Sequence, residues 1–186
     1  MKECCRSDAR ATKVRLEQRA QRLAKEGKHA EASKLLEERV ALSPRNPMIW
    51  NDLGNEYAAA GELDKALAAL KRAHEVDREY PLPLYNLGLY TLERCRQLEA
   101  GHASDAEVRA MAEEAIEYFQ ASLERDPDNA ACHQNIAVAY RMVKDTQRAG
   151  AHVVEALRLD PALELPAGRW RDRLTRFVAG KVGRLK

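Results

Sequence analysis

The stretch Trp50-Asn-Asp-Leu53-Gly54-Asn-Glu-Tyr57, followed by Gly61, Ala66, Leu70 and Ala73, decides the fold. Trp50, Leu53 and Tyr57 recur at three and four residues, which is the spacing of one face of an α-helix. Gly54 is small enough to let a second helix approach, and Ala66, Leu70 and Ala73 give that helix a facing stripe. The segment from Pro47 to Tyr80 therefore reads as a helical hairpin. One hairpin of this kind cannot bury both of its faces, so it needs neighbours of the same construction.

The neighbours are in the chain. One period of about 34 residues upstream, Leu16, Ala20, Leu23, Gly27, Ala32, Leu36 and Pro44 hold the corresponding positions. This first copy is weaker, because Arg19 and Arg39 replace a Leu and an Ala, as suits a terminal unit whose outer face meets water. The third copy opens at Pro81 with Leu84, Leu87, Gly88 and Thr91. Its second half, Ala115, Phe119, Ser122 and Pro127, arrives about fifteen residues late for that period. The added residues are helix formers except Gly101, which suits a helix end, while Ser104 and Glu107 have the spacing of a capping box. An elongated hairpin is predicted, with about seven extra residues in each helix and a reach longer by roughly 10 Å. The fourth copy places His133, Ile136, Ala137, Tyr140, Ala149, Val153, Ala156 and Pro161 in register.

This pattern resembles the tetratricopeptide repeat, W-x2-L-G-x2-Y followed by A-x3-F and P. In the second copy only Leu70 and Arg78 depart from it, standing where Phe and Pro are usual. The resemblance implies an all-α fold, a right-handed superhelix of antiparallel helix pairs whose third pair is elongated. Residues 1–11 lack periodicity and are expected to be disordered; 12–163 form the repeat domain, with repeats at about 13–46, 47–80, 81–129 and 130–163; 164–186 form a capping helix and basic tail.

Composition agrees. The 186 residues are 45% hydrophobic, only 5% aromatic and 32% charged, which suits surface-rich helical hairpins better than a sandwich or barrel. The net charge of +2 is uneven, with basic ends and an acidic middle. No stretch approaches the roughly 20 apolar residues of a membrane span, and the N-terminal residues have no apolar core of the kind a signal peptide carries. A cytoplasmic protein is the expectation. Cys4, Cys5, Cys95 and Cys132 fit no disulfide or zinc spacing. His29, His74, His102, His133 and His152 are scattered over different helices without a nucleophile motif. Cys132 and His133 are adjacent in sequence, so on a helix they point about 100° apart and form no dyad. No catalytic residue, metal site or cofactor is expected.

In tetratricopeptide proteins the first helices of successive repeats line a concave groove that takes extended peptides. What the resemblance implies here is a groove formed by Asn51, Asp52, Asn55, Tyr85, Asn86, Leu89, Gln134, Asn135 and Arg141. Asn86 and Asn135 share one repeat position, and with Asn55 their amides can both donate to and accept from a peptide backbone. The family's cationic clamp for a C-terminal carboxylate is absent, since Asn51, Ala131 and Asn135 stand where it would need Lys or Arg. The implied function is a non-catalytic scaffold or adaptor for a protein or peptide partner. Two alternatives follow from other features: a small self-associating chaperone for a secreted or assembled client, through the weak first repeat and the projecting hairpin, and a nucleic-acid adaptor. The latter would contact anions through Arg169, Arg171, Arg173 and Arg176, and it ranks below a capping role for the same helix.

Overall fold

The computed structural model describes residues 2–163, with side chains from Arg10 onward. Eight helices follow one another: α1 (Lys2–Lys25), α2 (His29–Leu42), α3 (Pro47–Ala59), α4 (Leu63–Val76), α5 (Leu82–Ala100), α6 (Asp105–Leu123), α7 (Ala130–Met142) and α8 (Thr146–Leu159). No strand occurs among the described residues. The fold is all-α, a run of helical hairpins. The expected capping helix and its arginines lie outside the described residues.

One expectation changes at the N-terminus. Helix α1 starts at Lys2, ahead of the Thr12 start suggested by the periodicity. Apolar periodicity reports packing, whereas a helix needs only its own backbone hydrogen bonds and residues that tolerate the conformation. A segment can therefore be helical without showing a stripe.

The chain divides into two compact units, Met1–Asn86 and Leu87–Lys186. In the first, the turns between paired helices pass through Gly27 (φ 74°) and Gly61 (φ 82°), left-handed positions that glycine takes without steric cost. The α3 start is fixed by Asn46, whose side chain accepts from the Met48 backbone N–H, and by Pro47 in the first turn. Ala20, Leu36, Val40, Ile49, Leu53 and Ala69 form the core, with Trp50 and Tyr57 packed against it. Trp50 also donates from Nε1 to the Pro44 carbonyl at 2.9 Å, which ties the helix pair to the preceding turn. Gly54 marks a close approach: a Cβ there would lie 2.7 Å from Leu70 Cγ.

Arg39 departs from the reading of a wet outer face. Its side chain is only 12% exposed and reaches Glu17 at 3.4 Å, while Nε and Nη1 are buried without a hydrogen-bond partner. Arginine's long aliphatic stem lets such a side chain be buried while its end reaches another helix.

In the second unit, α5 and α6 have 19 residues each, against 13 and 14 for α7 and α8. The extra turns are joined by the short loop 101–104. They bury a small core of their own, Cys95, Val108 and Ala112, with Leu98, Met111, Met142 and Val143 packed around it. Ser104 caps α6 from both directions, its hydroxyl accepting from the Glu107 backbone while the Glu107 carboxylate accepts from the Ser104 backbone. The left-handed residue after α5 is His102 (φ 61°) and not Gly101, and Lys144 (φ 65°) takes the same conformation after α7. Phe119, Leu92, Ile136 and Val153 are fully buried.

Candidate functional site

Helices α1 and α3 of the first unit each turn a polar face to a cleft of about 320 Å³. Glu17 and Gln21 come from α1, Asp52, Asn55 and Glu56 from α3, and Lys25 closes one side; Ala20, Ala24 and Leu36 form the floor. The spacing explains the grouping. Residues three and four apart share a helix face, so Glu17 and Gln21 stand together, as do Asp52, Asn55 and Glu56.

The carboxylates differ in their partners. Glu17 faces Arg39, and Glu56 meets His29 Nδ1 at 2.9 Å. Among the described residues no cation pairs with Asp52, whose neighbours are the Asn51 amide and the like charges of Glu17 and Glu56. Water reaches the Asp52 side chain. Even so, the surrounding protein strips enough solvent to push its pKa up, against the Asn51 hydrogen bond, and the two nearby carboxylates push it the same way.

Asn51, expected in the groove, is instead a buried residue, 3% exposed. Its Oδ1 accepts from Asn86 Nδ2 at 2.9 Å. A buried amide requires partners, and this one is held between Asn86 on α5 and Asp52 on its own helix. Asn51 therefore cannot contact a ligand, and one donor of Asn86 is used inside the fold. Asn86 and Tyr85 are half-buried.

Exposed apolar groups occur on the same helices, outside the cleft lining. Val14, Met48 and Leu82 are 46%, 58% and 49% exposed, and they are three of the four large exposed hydrophobic side chains among the described residues. They stand at the same place in successive repeats, 34 residues apart. In the sequence Val14 and Met48 each look like an ordinary surface residue, and the spacing they share with Leu82 is what singles them out.

In the second unit, Gln134 and Asn135 are half-buried on α7, Arg141 is exposed at its end, and Leu89 is half-buried on α5. His133 donates from Nε2 to the Pro127 carbonyl at 3.2 Å, which leaves its Nδ1 to accept from His152 Nδ1 at 3.0 Å. His152 stacks on Tyr140 with ring centroids 5.5 Å apart. Burial and the neighbouring His133 hold the His152 pKa below the usual range. Cys132 points elsewhere, toward the Phe119 carbonyl at 3.4 Å, and burial pushes its thiol up to about 12. It is a packed apolar residue, not a nucleophile. A second cavity of about 400 Å³ lies at the hairpin end, where the carboxylates of Glu99 and Asp105 balance Arg109 and Lys144. Among the described residues no cluster of three or more His, Cys, Asp or Glu could hold a metal ion, and no helix is long and apolar enough to cross a membrane.

Comparison with known proteins bears on the repeats and the fold. Residues 54–92 match a family profile described as TPR repeat, and residues 118–151 match one described as Tetratricopeptide repeat. Among curated proteins, the human antiviral innate immune response effector IFIT1 is 24% identical over 153 residues, 78% of this chain and 32% of its own length. The chain thus spans about a third of that relative. Among solved structures, MamA superposes with a TM-score of 0.67 at 20% identity, covering 86% of this chain and 84% of its own. A thermophilic TPR protein of Thermus thermophilus gives 0.67 at 19% identity, with coverage of 80% and 75%. A monomeric IFIT1 mutant with Gppp-AAAA gives 0.68 at 25% identity, covering 77% of this chain and 32% of its own.

Proposed function

This chain is a tetratricopeptide-repeat protein, and we propose that it is a non-catalytic scaffold holding an extended segment of a partner protein against the first-helix face of its repeats. The observation that carries this reading is the cleft of the first unit, where Asp52 and Asn55 stand with Glu17, Gln21 and Glu56 above an apolar floor. An extended peptide presents a backbone donor and acceptor at every residue. The amides of Asn55 and Gln21 can meet both, and the carboxylates can accept from its N–H groups. In the second unit Gln134 and Asn135 offer the same chemistry on α7.

The likeness to IFIT1, one of whose structures contains Gppp-AAAA, raises nucleic acid as an alternative ligand. Glu17, Asp52 and Glu56 would repel a phosphate chain in this cleft. A protein segment fits the charge of the first unit better. The test is a photo-crosslinking residue placed at Asn55 of the full chain, with the captured segment mapped by mass spectrometry. Capture should concentrate in one short segment of a partner. Asn55→Ala combined with Gln21→Ala should weaken that partner's binding at least about fivefold, on the order of one lost hydrogen bond, with the helical signal unchanged. Unaltered affinity in the double variant would remove the reading.

A further inference from the structure

Two features of the first unit lie on the same helix faces. Met48 stands one turn before Asp52 on α3, and Val14 one turn before Glu17 on α1. On each helix an exposed apolar side chain therefore precedes a cleft carboxylate, by about 4.5 Å along the axis on α1 and about 6 Å on α3, at 1.5 Å per residue. Leu82 continues the apolar line at the start of α5. Large exposed hydrophobic residues are ordinarily scattered singly; here three fall at one repeat position.

Among the described residues the cleft also has a charge that is not cancelled. Asp52 sits beside Glu17 and Glu56 with an amide, not a cation, as its hydrogen-bond partner. Lys25 at the margin is exposed, and its flexible side chain remains solvated. A cationic group entering the cleft would meet the negative potential of Glu17, Asp52 and Glu56. Two residues of an extended chain span about 6.5–7 Å, close to the step from Met48 to Asp52.

We infer that the first unit takes a partner segment in which an apolar side chain is followed two residues later by lysine or arginine, the apolar group resting on Met48 and the cation entering beside Asp52. This rests on the peptide-binding reading above and narrows it to one chemistry. Charge complementarity selects this occupant over an acidic segment, and the apolar line selects it over a purely basic one.

The experiment is fluorescence anisotropy of the full chain with three labelled synthetic peptides: a Leu-Ser-Lys-Ser repeat, its Leu-Ser-Glu-Ser counterpart and an Ala-Ser-Lys-Ser control. The Leu-Lys peptide should bind at least about tenfold more tightly than either of the others, the scale of one well-placed charge pair or buried aliphatic group. Asp52→Asn should erase most of the preference for Lys over Glu, and Met48→Ser most of the preference for Leu over Ala. Equal binding of the Leu-Lys and Leu-Glu peptides, or a preference unmoved by Asp52→Asn, would overturn this inference and leave peptide binding in place. Binding of none of the peptides would overturn it too. The scaffold reading itself is judged separately, by the crosslinks at Asn55 and the Asn55→Ala, Gln21→Ala double variant.

Discussion

Asn86 Nδ2 donates to Asn51 Oδ1 at 2.9 Å across 35 residues of sequence, joining the start of α5 to the buried side of α3. The bond makes Asn51 a structural residue in the middle of a surface that reads as ligand-binding. Asn51→Ala leaves the Asn86 amide without that acceptor and takes the hydrogen bond from Asp52. We expect a loss of about 0.5–1.5 kcal/mol, the net worth of one intramolecular hydrogen bond to a half-buried amide. Urea denaturation at neutral pH measures it, and a change under 0.5 kcal/mol, roughly the surface-substitution range, would contradict this account.

Asp52 has the opposite sign. Its folded pKa is raised above the ordinary 3.8, so between the two values the folded chain binds more proton than the unfolded one, and stability falls as pH rises through that window. At neutral pH the ionised carboxylate is a liability to the fold. Asp52→Asn should raise the melting temperature at pH 7 and have less effect at pH 4. A stabilising change that impairs ligand binding is the signature of a functional residue; an equal shift at both pH values would refute the electrostatic cause.

Arg39 offers a second route to a more stable chain. Nε and Nη1 are buried with no acceptor among the described residues, and the remaining contact to Glu17 is long. Arg39→Met keeps the packed stem and removes the unsatisfied nitrogens. The expected result is a gain of about 1–3 kcal/mol, read from the urea midpoint. Destabilisation would show that the guanidinium makes a contribution its geometry does not reveal.

Lys144 occupies a left-handed position that Gly27 and Gly61 fill at the turns of the first unit. Its ion pair with Asp105, at 2.8 Å, lies between side chains that are 81% and 92% exposed, so solvent screening leaves it little value. Relief of the backbone conformation wins, and Lys144→Gly should stabilise by about 0.5–1 kcal/mol. Differential scanning calorimetry decides between this and a loss.

The histidine pair makes stability depend on mild acid. His152 is held below its ordinary value of 6.5 by burial and by His133, while Glu155 works weakly in the other direction; Tyr140 stacks on the ring, and Arg148 lies over Tyr140. Below pH 6.5 the unfolded chain takes up a proton that folded His152 refuses. Stability present above that pH is therefore lost as pH falls toward the depressed folded value. His152→Leu should flatten this part of the profile when urea midpoints are compared at pH 7.5 and 5.5.

Much of the architecture is legible in the sequence because it depends on local spacing. Trp50, Leu53 and Tyr57 declare a helix face, Gly54 its close neighbour, and Ser104 with Glu107 a helix start. The candidate site is less legible, because a side chain's type does not reveal which way it is held. Asn51 looks like a solvated groove residue, but its acceptor role is set by Asn86, a partner far away in sequence. Arg39 looks like an outward charge, yet its side chain is only 12% exposed and reaches Glu17 on α1. His102 takes the backbone conformation that the adjacent Gly101 advertises. Asp52 and Asn55 do meet in one cleft, and the acids joining them from α1 become visible only once α1 and α3 are placed side by side.

The insertion in the third repeat also bears on how the chain withstands digestion. Its additional residues are divided between α5 and α6, so only the loop 101–104 breaks the hydrogen-bonded backbone there. A protease needs several consecutive residues in extended form, and this segment supplies fewer than the length of the insertion implies. Lengthening two facing helices together has added chain to the protein while adding very little that can be cut.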